Sequence, residues 1–423
     1  MSHVLGLKCR ECGAEYPAVI QNTCYECFGP LEVNYDWDYI SSHISKEKIA
    51  AGPKSIWRYA DLLPLESEKR IDLGAGFNTL HRAERLGAAL GLDELYILDE
   101  SVNPTNSFKD RVTSVAISKA IEFDVKAVGC ASTGNLAAAV GAHAAKAGLP
   151  AYIFIPATIE LGKIVQMLVY GPNVIAVEGT YDDANRLASE VADSHPDWAF
   201  VNINIRPYYT EGSKTIAYET AEQLNWEAPD HVVVPMASGA LLCAISRGYK
   251  ELERVGLIDN SKVKISGSQP LNCSPISCAV QQESEVVPVR NYETVAHSLA
   301  IGNPADGYYA KQAILSSGGY AASPTDNEII EAIHLLARTE GIFTEPAGGT
   351  TVAGLKKLVE SGHIKQDERV VVYVTGNGLK AQDTLLKSLQ RPPVIKPVLS
   401  EFEHLVAPKL EIHRHQEAVP LAH

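Results

Sequence analysis

Lys109 is the residue on which the chemistry of this chain turns. It stands in the run Asn103, Pro104, Thr105, Asn106, Ser107, Phe108, Lys109, Asp110, Arg111. A strand-like stretch at 95–98 precedes the run and a helix-like stretch at 112–120 follows it. The Asn-Pro-Thr and Asn-Ser pairs read as a turn, with Ser107 placed to cap the helix. A lysine at a helix start, partly desolvated in a turn, is a usable amine nucleophile for Schiff-base chemistry. The plain alternative is a solvated Lys-Asp-Arg cluster, so the company Lys109 keeps decides between the two.

That company is a set of strand–loop–helix units with small or polar loops. Ser132, Thr133, Gly134 and Asn135 follow a strand-like run at 127–131 and precede an alanine-rich helix at 136–145. Hydroxyls, an amide and free backbone N–H groups at a positive helix end suit an anionic ligand. A second unit runs from strand 232–235 through Met236, Ala237, Ser238, Gly239 and Ala240 into a helix at 241–252. In a third, five β-formers at 370–374 lead into Thr375, Gly376, Asn377 and Gly378. This puts Thr375 at the carboxyl end of a buried strand, where α/β folds bind ligands. Glu345 lies shortly before it, in a turn with Pro346, Ala347 and two glycines. Gly74 and Gly76 lack the third glycine and following helix of a dinucleotide site.

The lysine run resembles the cofactor-lysine motif of the tryptophan-synthase-beta-like (fold type II) pyridoxal-phosphate enzymes, and within them the threonine-synthase branch. The resemblance covers residues 73–384 through five motifs in family order. It implies pyridoxal 5'-phosphate on Lys109, Asn135 on its phenolate oxygen, and Ser132 and Thr133 facing the substrate. It also implies a phosphate cradle at Met236, Ala237, Ser238, Gly239 and Ala240, Thr375 on the pyridine nitrogen, and Glu345 lining the site. A neutral hydroxyl at Thr375 does not force a proton onto that nitrogen, which tunes the ring as an electron sink.

For the substrate, the stretch 201–215 resembles the branch's phosphate-binding segment, which implies Asn204, Arg206 and Lys214 as substrate residues. It departs from that pattern where Tyr209 takes the slot of an expected arginine. Arg206 could reach the same phosphate from a different backbone position, since its fork matches phosphate geometry. The implied reaction is γ-elimination of phosphate from O-phospho-L-homoserine and β-addition of water, giving L-threonine. Two rivals share the scaffold: a phosphoserine-dependent β-replacement resembling cysteate synthase, and a hydroxy-amino-acid dehydratase. A third, from another class, is a zinc-ribbon binding module with an inert enzyme domain, which would need Lys109 or Thr375 altered.

A separate chemistry sits near the amino terminus. Cys9 and Cys12, then Cys24 and Cys27, form two Cys-x-x-Cys knuckles eleven residues apart. This spacing fits a closed four-thiolate zinc site, structural rather than catalytic because no coordination position is open. With no secretory signal read ahead of it and the other cysteines scattered, a disulfide pair is the weaker reading. Cys130, Cys243, Cys273 and Cys278 read as small buried hydrophobes.

The 423 residues suffice for two sizeable domains and a ribbon, and 46% hydrophobic content supports a large core. A net charge of -14 argues against nucleic-acid or anionic-membrane partners, and no apolar run reaches spanning length uninterrupted. A cytoplasmic enzyme acting on a phosphorylated amino acid is expected, and the resemblance implies a homodimer. Alternating strands and helices predict an α/β fold with mainly parallel sheets. The expected divisions are a zinc-ribbon-like module at 1–35, a large cofactor-binding domain from 36–114 and 212–390, a small mobile domain at 115–211, and a tail at 391–423. His413, His415 and His423 in that tail read as solvated residues.

Overall fold

The computed structural model describes residues 3–406, apart from 133, 160, 260, 261, 291 and 387. Residues 1–382 make one compact unit and 383–423 a second. The histidines of the tail, at 413, 415 and 423, lie outside the described residues, as does Thr133.

Three sheets organise the larger unit. The smallest is antiparallel and holds the cysteine knuckles, with Val4–Cys9 between Glu15–Tyr16 and Leu31–Tyr35. A four-stranded sheet orders Asn173–Val177, Ala151–Pro156, Ala127–Ala131 and Trp198–Phe200, all parallel. The six-stranded sheet takes strands from both flanks of that segment. Its order is Ala321–Ala322, Lys264–Ser268, His231–Pro235, Arg369–Val374, Glu94–Asp99 and Leu80–Arg82, with only the last antiparallel to its neighbour.

The central strands are unbroken apolar runs because both faces are covered. Val370 to Val374 are all buried, as are His231 to Pro235, as a parallel sheet flanked by helices requires. Val233 pairs with Val372, and Val374 with Asp99. The loops after these three strands therefore leave from one sheet edge, about 5 Å apart per strand. That edge collects the lysine run, the segment 236–240 and the Thr375 turn.

Helix ends follow local chemistry more closely than the sequence reading placed them. The helix Tyr181–Ser194 is capped by Thr180, whose hydroxyl accepts from the Asp183 N–H while Asp183 reaches back, a reciprocal capping box. Thr180 is thus the cap, and Asp183, three residues on, is its partner in the box. Among the described residues no helix is long and apolar enough to cross a membrane.

Candidate active site

Lys109 opens the helix Lys109–Glu122, and its loop is sewn to the end of the central strand. The Phe108 N–H donates to the Thr375 carbonyl at 3.0 Å, and the Asn377 N–H to the Asn106 carbonyl at 3.1 Å. Ser107 and Gly376 form an isolated antiparallel bridge between these bonds. Asn106 turns the chain at φ 65°, a left-handed position asparagine tolerates.

The helix start is closed by Asp110 rather than by the Ser107 side chain. The Asp110 carboxylate accepts the Thr105 N–H at 2.8 Å and the Thr105 hydroxyl at 2.9 Å. Burial pushes this carboxyl up to about 6, against those bonds. The cap residue is Phe108, which supplies no side-chain bond. Ser107 Oγ is buried with no hydrogen-bond partner among the described residues.

The Lys109 ammonium donates to the Tyr209 hydroxyl at 3.0 Å and lies 4.4 Å from the Phe108 ring centre. Asn135, at the start of helix Asn135–Ala147, donates from Nδ2 to both Glu345 oxygens at 2.9 and 3.1 Å. Its Oδ1 accepts from Lys380 Nζ at 2.9 Å. Glu345 is buried, and desolvation raises its pKa while Asn135, Lys380 and Lys109 oppose the shift. A side chain on Gly376 would meet Glu345 Oε1 at 2.4 Å, so this approach of turn and carboxylate requires glycine.

The segment 236–240 makes a cradle. Gly239 precedes helix Ala240–Arg254 at φ +93°, and a Cβ there would meet Ala310 Cβ at 2.8 Å and Asp306 O at 3.0 Å. The Ser238 carbonyl accepts the Asp306 N–H at 2.9 Å, while Ser238 Oγ accepts the Ala240 N–H at 3.4 Å. Met236 is buried, and its N–H donates to Ser268 O at 2.9 Å, so it anchors the loop. The Ala237 carbonyl accepts from Gln269 at 3.5 Å. The first-turn N–H groups of a fifteen-residue helix are free by geometry to bind phosphate.

This donor set fits pyridoxal phosphate. An amine at Lys109, a buried hydroxyl at Thr375 and a helix start without a side-chain cap share one edge of the six-stranded sheet, and the Asn135 amide, from the four-stranded sheet, reaches Glu345 and Lys380. The Ser107 hydroxyl beside Gly376 is a buried polar atom with no hydrogen-bond partner among the described residues.

The substrate residues expected from sequence divide differently. Ser132 is half-buried at the mouth of the Asn135 helix, its hydroxyl accepting the Gly134 N–H at 3.4 Å. Arg206 pairs with the Asp306 carboxylate and lines a cavity of about 630 Å³ against the knuckle sheet. Asn204 is engaged locally at both ends: Oδ1 accepts the Phe200 N–H at 2.7 Å, and Nδ2 donates to Trp198 O at 2.9 Å. Lys214 is fully buried, with its ammonium 2.6 Å from Glu211 and 2.9 Å from Glu251. In this structure Asn204 closes its own turn and Lys214 is held between two carboxylates. Tyr209 and Lys380 were not expected. Tyr209 drew notice only as a departure from pattern, and Lys380 lies 245 residues from the amide it binds.

The four cysteines form one cluster, with all Sγ atoms within 4.8 Å of one another. Cys9 and Cys27 stand 3.4 Å apart, Cys12 and Cys24 3.6 Å, close to the edge of a tetrahedron with ~2.3 Å metal–sulfur bonds. The two knuckles repeat one geometry. Glu11 N–H points to Cys9 Sγ at 3.4 Å, and Glu26 N–H to Cys24 Sγ at 3.3 Å. All eight cysteines are unbridged.

The knuckle sheet docks beside the site. Tyr35 donates to Glu211 at 2.6 Å, Tyr208 to the Val19 carbonyl at 3.0 Å, and Tyr309 to Glu11. Arg10 lies 3.8 Å from the Tyr309 ring centre and 3.9 Å from Asp306.

Comparison with known proteins agrees with this geometry. Residues 71–376 match the family described as pyridoxal-phosphate dependent enzyme. The chain is 42% identical over 406 residues to a threonine synthase of Methanocaldococcus jannaschii, covering 93% of this chain and 99% of that one. It is 41% identical to a threonine synthase of Methanosarcina acetivorans, with 92% and 95% covered, and 36% identical to one of Mycobacterium tuberculosis, with 82% and 93% covered. Two solved structures share the fold at low identity. The processed form of threonine deaminase isoform 2 from Solanum lycopersicum has a TM-score of 0.62 at 23% identity, covering 73% of this chain and 82% of that chain. Maize serine racemase has a TM-score of 0.61 at 19%, covering 80% and 94%. With a lysine and a helix-start cradle at one edge of the six-stranded sheet, and near-full-length identity above 40%, the chain belongs to the threonine synthase family of pyridoxal-phosphate dependent enzymes.

Proposed function

We propose that the chain eliminates phosphate from O-phospho-L-homoserine and adds water at the β-carbon to give L-threonine. The observation that carries this reading is the amine of Lys109 held by Tyr209, beside Asn135 and the Gly239 cradle, within a chain alike from end to end to threonine synthases. Bound at Lys109, pyridoxal phosphate supplies an electron sink for charge developing on the substrate carbons.

The residues themselves do the rest. Lys109 Nζ takes the proton from the α-carbon and carries protons to and from the β-carbon. Tyr209 Oη accepts from the ammonium and donates to the free amine, so Nζ keeps one place in both states. Glu345, buried against Gly376, orients Asn135 without being exposed to bulk water. The first-turn N–H groups after Gly239 hold the cofactor phosphate. We assign Ser132 and Thr133 to the substrate carboxylate side and keep Arg206 as a reserve cation, available only if its bond to Asp306 opens.

Four further assignments complete the proposal. The cysteine cluster binds a structural zinc ion, supported by the Sγ spacing. The segment 115–211 moves as a small domain, carrying Asn135 and Tyr209 onto the substrate and excluding water. The enzyme is cytoplasmic, and it acts as a homodimer. Phosphate release by purified protein from O-phosphohomoserine and from O-phosphoserine tests the central claim. Release from the first alone is expected, whereas release from phosphoserine alone would replace this reading with β-replacement.

A further inference from the structure

Three polar side chains from three separate loops meet beside Lys109. Lys380 Nζ donates to Asn135 Oδ1 at 2.9 Å, and Asn135 Nδ2 donates to Glu345 at 2.9 and 3.1 Å. An ammonium group only donates and a carboxylate only accepts, so the amide between them has one orientation that satisfies both. We propose that Lys380 is a positioning residue of the active site: by holding the Asn135 amide oxygen, it keeps the amide NH2 turned toward the anionic ring oxygen of bound pyridoxal phosphate. This rests on the cofactor assignment above and adds to it.

The surroundings of Lys380 support the role. Its side chain is half-buried, and Asn135 is its only side-chain hydrogen-bond partner among the described residues. Desolvation lowers its proton affinity, while Glu345 and Asp110, the carboxylates facing it, restore the charge. Lys380 follows Thr375 by five residues through the Asn377–Gly378 turn, whose N–H groups bond Asn106 and Phe343. The turn that presents Thr375 therefore also presents Lys380. Without the ammonium only Glu345 holds the amide from one side, and a turned amide would offer its oxygen to the anion and repel it.

The test compares full-length wild type with Lys380→Met, Lys380→Gln, Lys380→Arg, Asn135→Ala and the double variant Asn135→Ala/Lys380→Met. Two readouts are needed: the dissociation constant for pyridoxal phosphate from its visible absorbance, and the pH midpoint at which that band titrates. Lys380→Met and Lys380→Gln are expected to weaken cofactor binding about tenfold, the loss of one charge-assisted hydrogen bond. The band's pH midpoint is expected to rise in both, because a nearby positive charge is gone. Lys380→Arg restores both readouts, and adding Lys380→Met to Asn135→Ala weakens binding no further. Unchanged affinity and midpoint in both neutral variants would overturn the proposal. So would effects that multiply in the double variant, because Lys380 would then act independently of Asn135. Wild-type protein that takes up no pyridoxal phosphate would instead overturn the cofactor assignment, a result distinct from either.

Discussion

The Lys109 ammonium and the Tyr209 hydroxyl are 3.0 Å apart, although one hundred residues separate them in the chain. Tyr209 stands on the short helix Arg206–Glu211, and Lys109 on the first turn of Lys109–Glu122. A phenol can serve the lysine in either protonation state, whereas an arginine in the same slot would repel the ammonium. Tyr209→Phe should therefore lower kcat by about ten- to hundredfold with little change in KM, measured by steady-state phosphate release. Lys109→Ala should abolish both turnover and the visible band of lysine-bound cofactor. Wild-type kcat in the phenylalanine variant would remove Tyr209 from proton handling.

Arg111 lies fully buried between two carboxylates, bonded to Glu100 at 2.6 Å through both Nε and Nη2 and to Glu219 at 2.9 Å. Glu219 in turn accepts the N–H groups of Phe77 and Asn78 at 2.5 and 2.6 Å, so the network ties the 73–80 loop to the lysine helix. Arg111→Met leaves two buried acids without their cation. It should cost about 3–5 kcal/mol in urea unfolding, as expected for breaking a buried pair from one side.

His231 sits in the central sheet, with Nε2 2.6 Å from Ser266 Oγ and Nδ1 3.3 Å from Glu368. Burial pushes its pKa down to about 4 from 6.5, with Glu368 opposing. Between those values the unfolded chain binds a proton the folded chain refuses, so this contribution is complete above about pH 6.5 and is lost toward pH 4. His143, also lowered to about 4 by burial, acts in the same direction. Replacing His231 with Asn should flatten the pH dependence by about 2 kcal/mol between pH 7 and pH 5, read from urea midpoints at each pH. Equal slopes in wild type and variant would show that His231 does not titrate on unfolding.

The cysteine cluster belongs to the knuckle sheet, and the cofactor residues belong to other loops. Chelation, or Cys24→Ser, should raise amide exchange across residues 3–35 while the visible cofactor band remains. Loss of the band together with the protection would show that the two centres fold as one.

Much of the site could be read from local patterns. The lysine run, the Asn135 helix, the 236–240 loop and the Thr375 turn each follow a run of β-formers; the six-stranded sheet gathers three of these ends at one edge, and the four-stranded sheet carries the Asn135 helix. Local patterns do not reach the contacts that side chains make across the fold. Lys214 sits at a motif position, but its ammonium is taken by Glu211 and Glu251. Asn204 closes its own turn. Nothing near Tyr209 or Lys380 announces contacts 100 and 245 residues away. The helix cap was misplaced for a similar reason: both Ser107 and Asp110 are good cap residues, and only the folded loop decides that Asp110 bonds Thr105.

Asp306 joins what the chain makes first to what it makes late. Its carboxylate meets Arg206 and Arg10, and its N–H supports the carbonyl of Ser238. During synthesis, residues 3–35 leave the ribosome nearly three hundred positions before this partner does. The contacts of Arg10 with Asp306 and of Glu11 with Tyr309 can close only once the chain has passed residue 309, whereas those of Tyr35 with Glu211 and of Val19 with Tyr208 need the chain only up to residue 211.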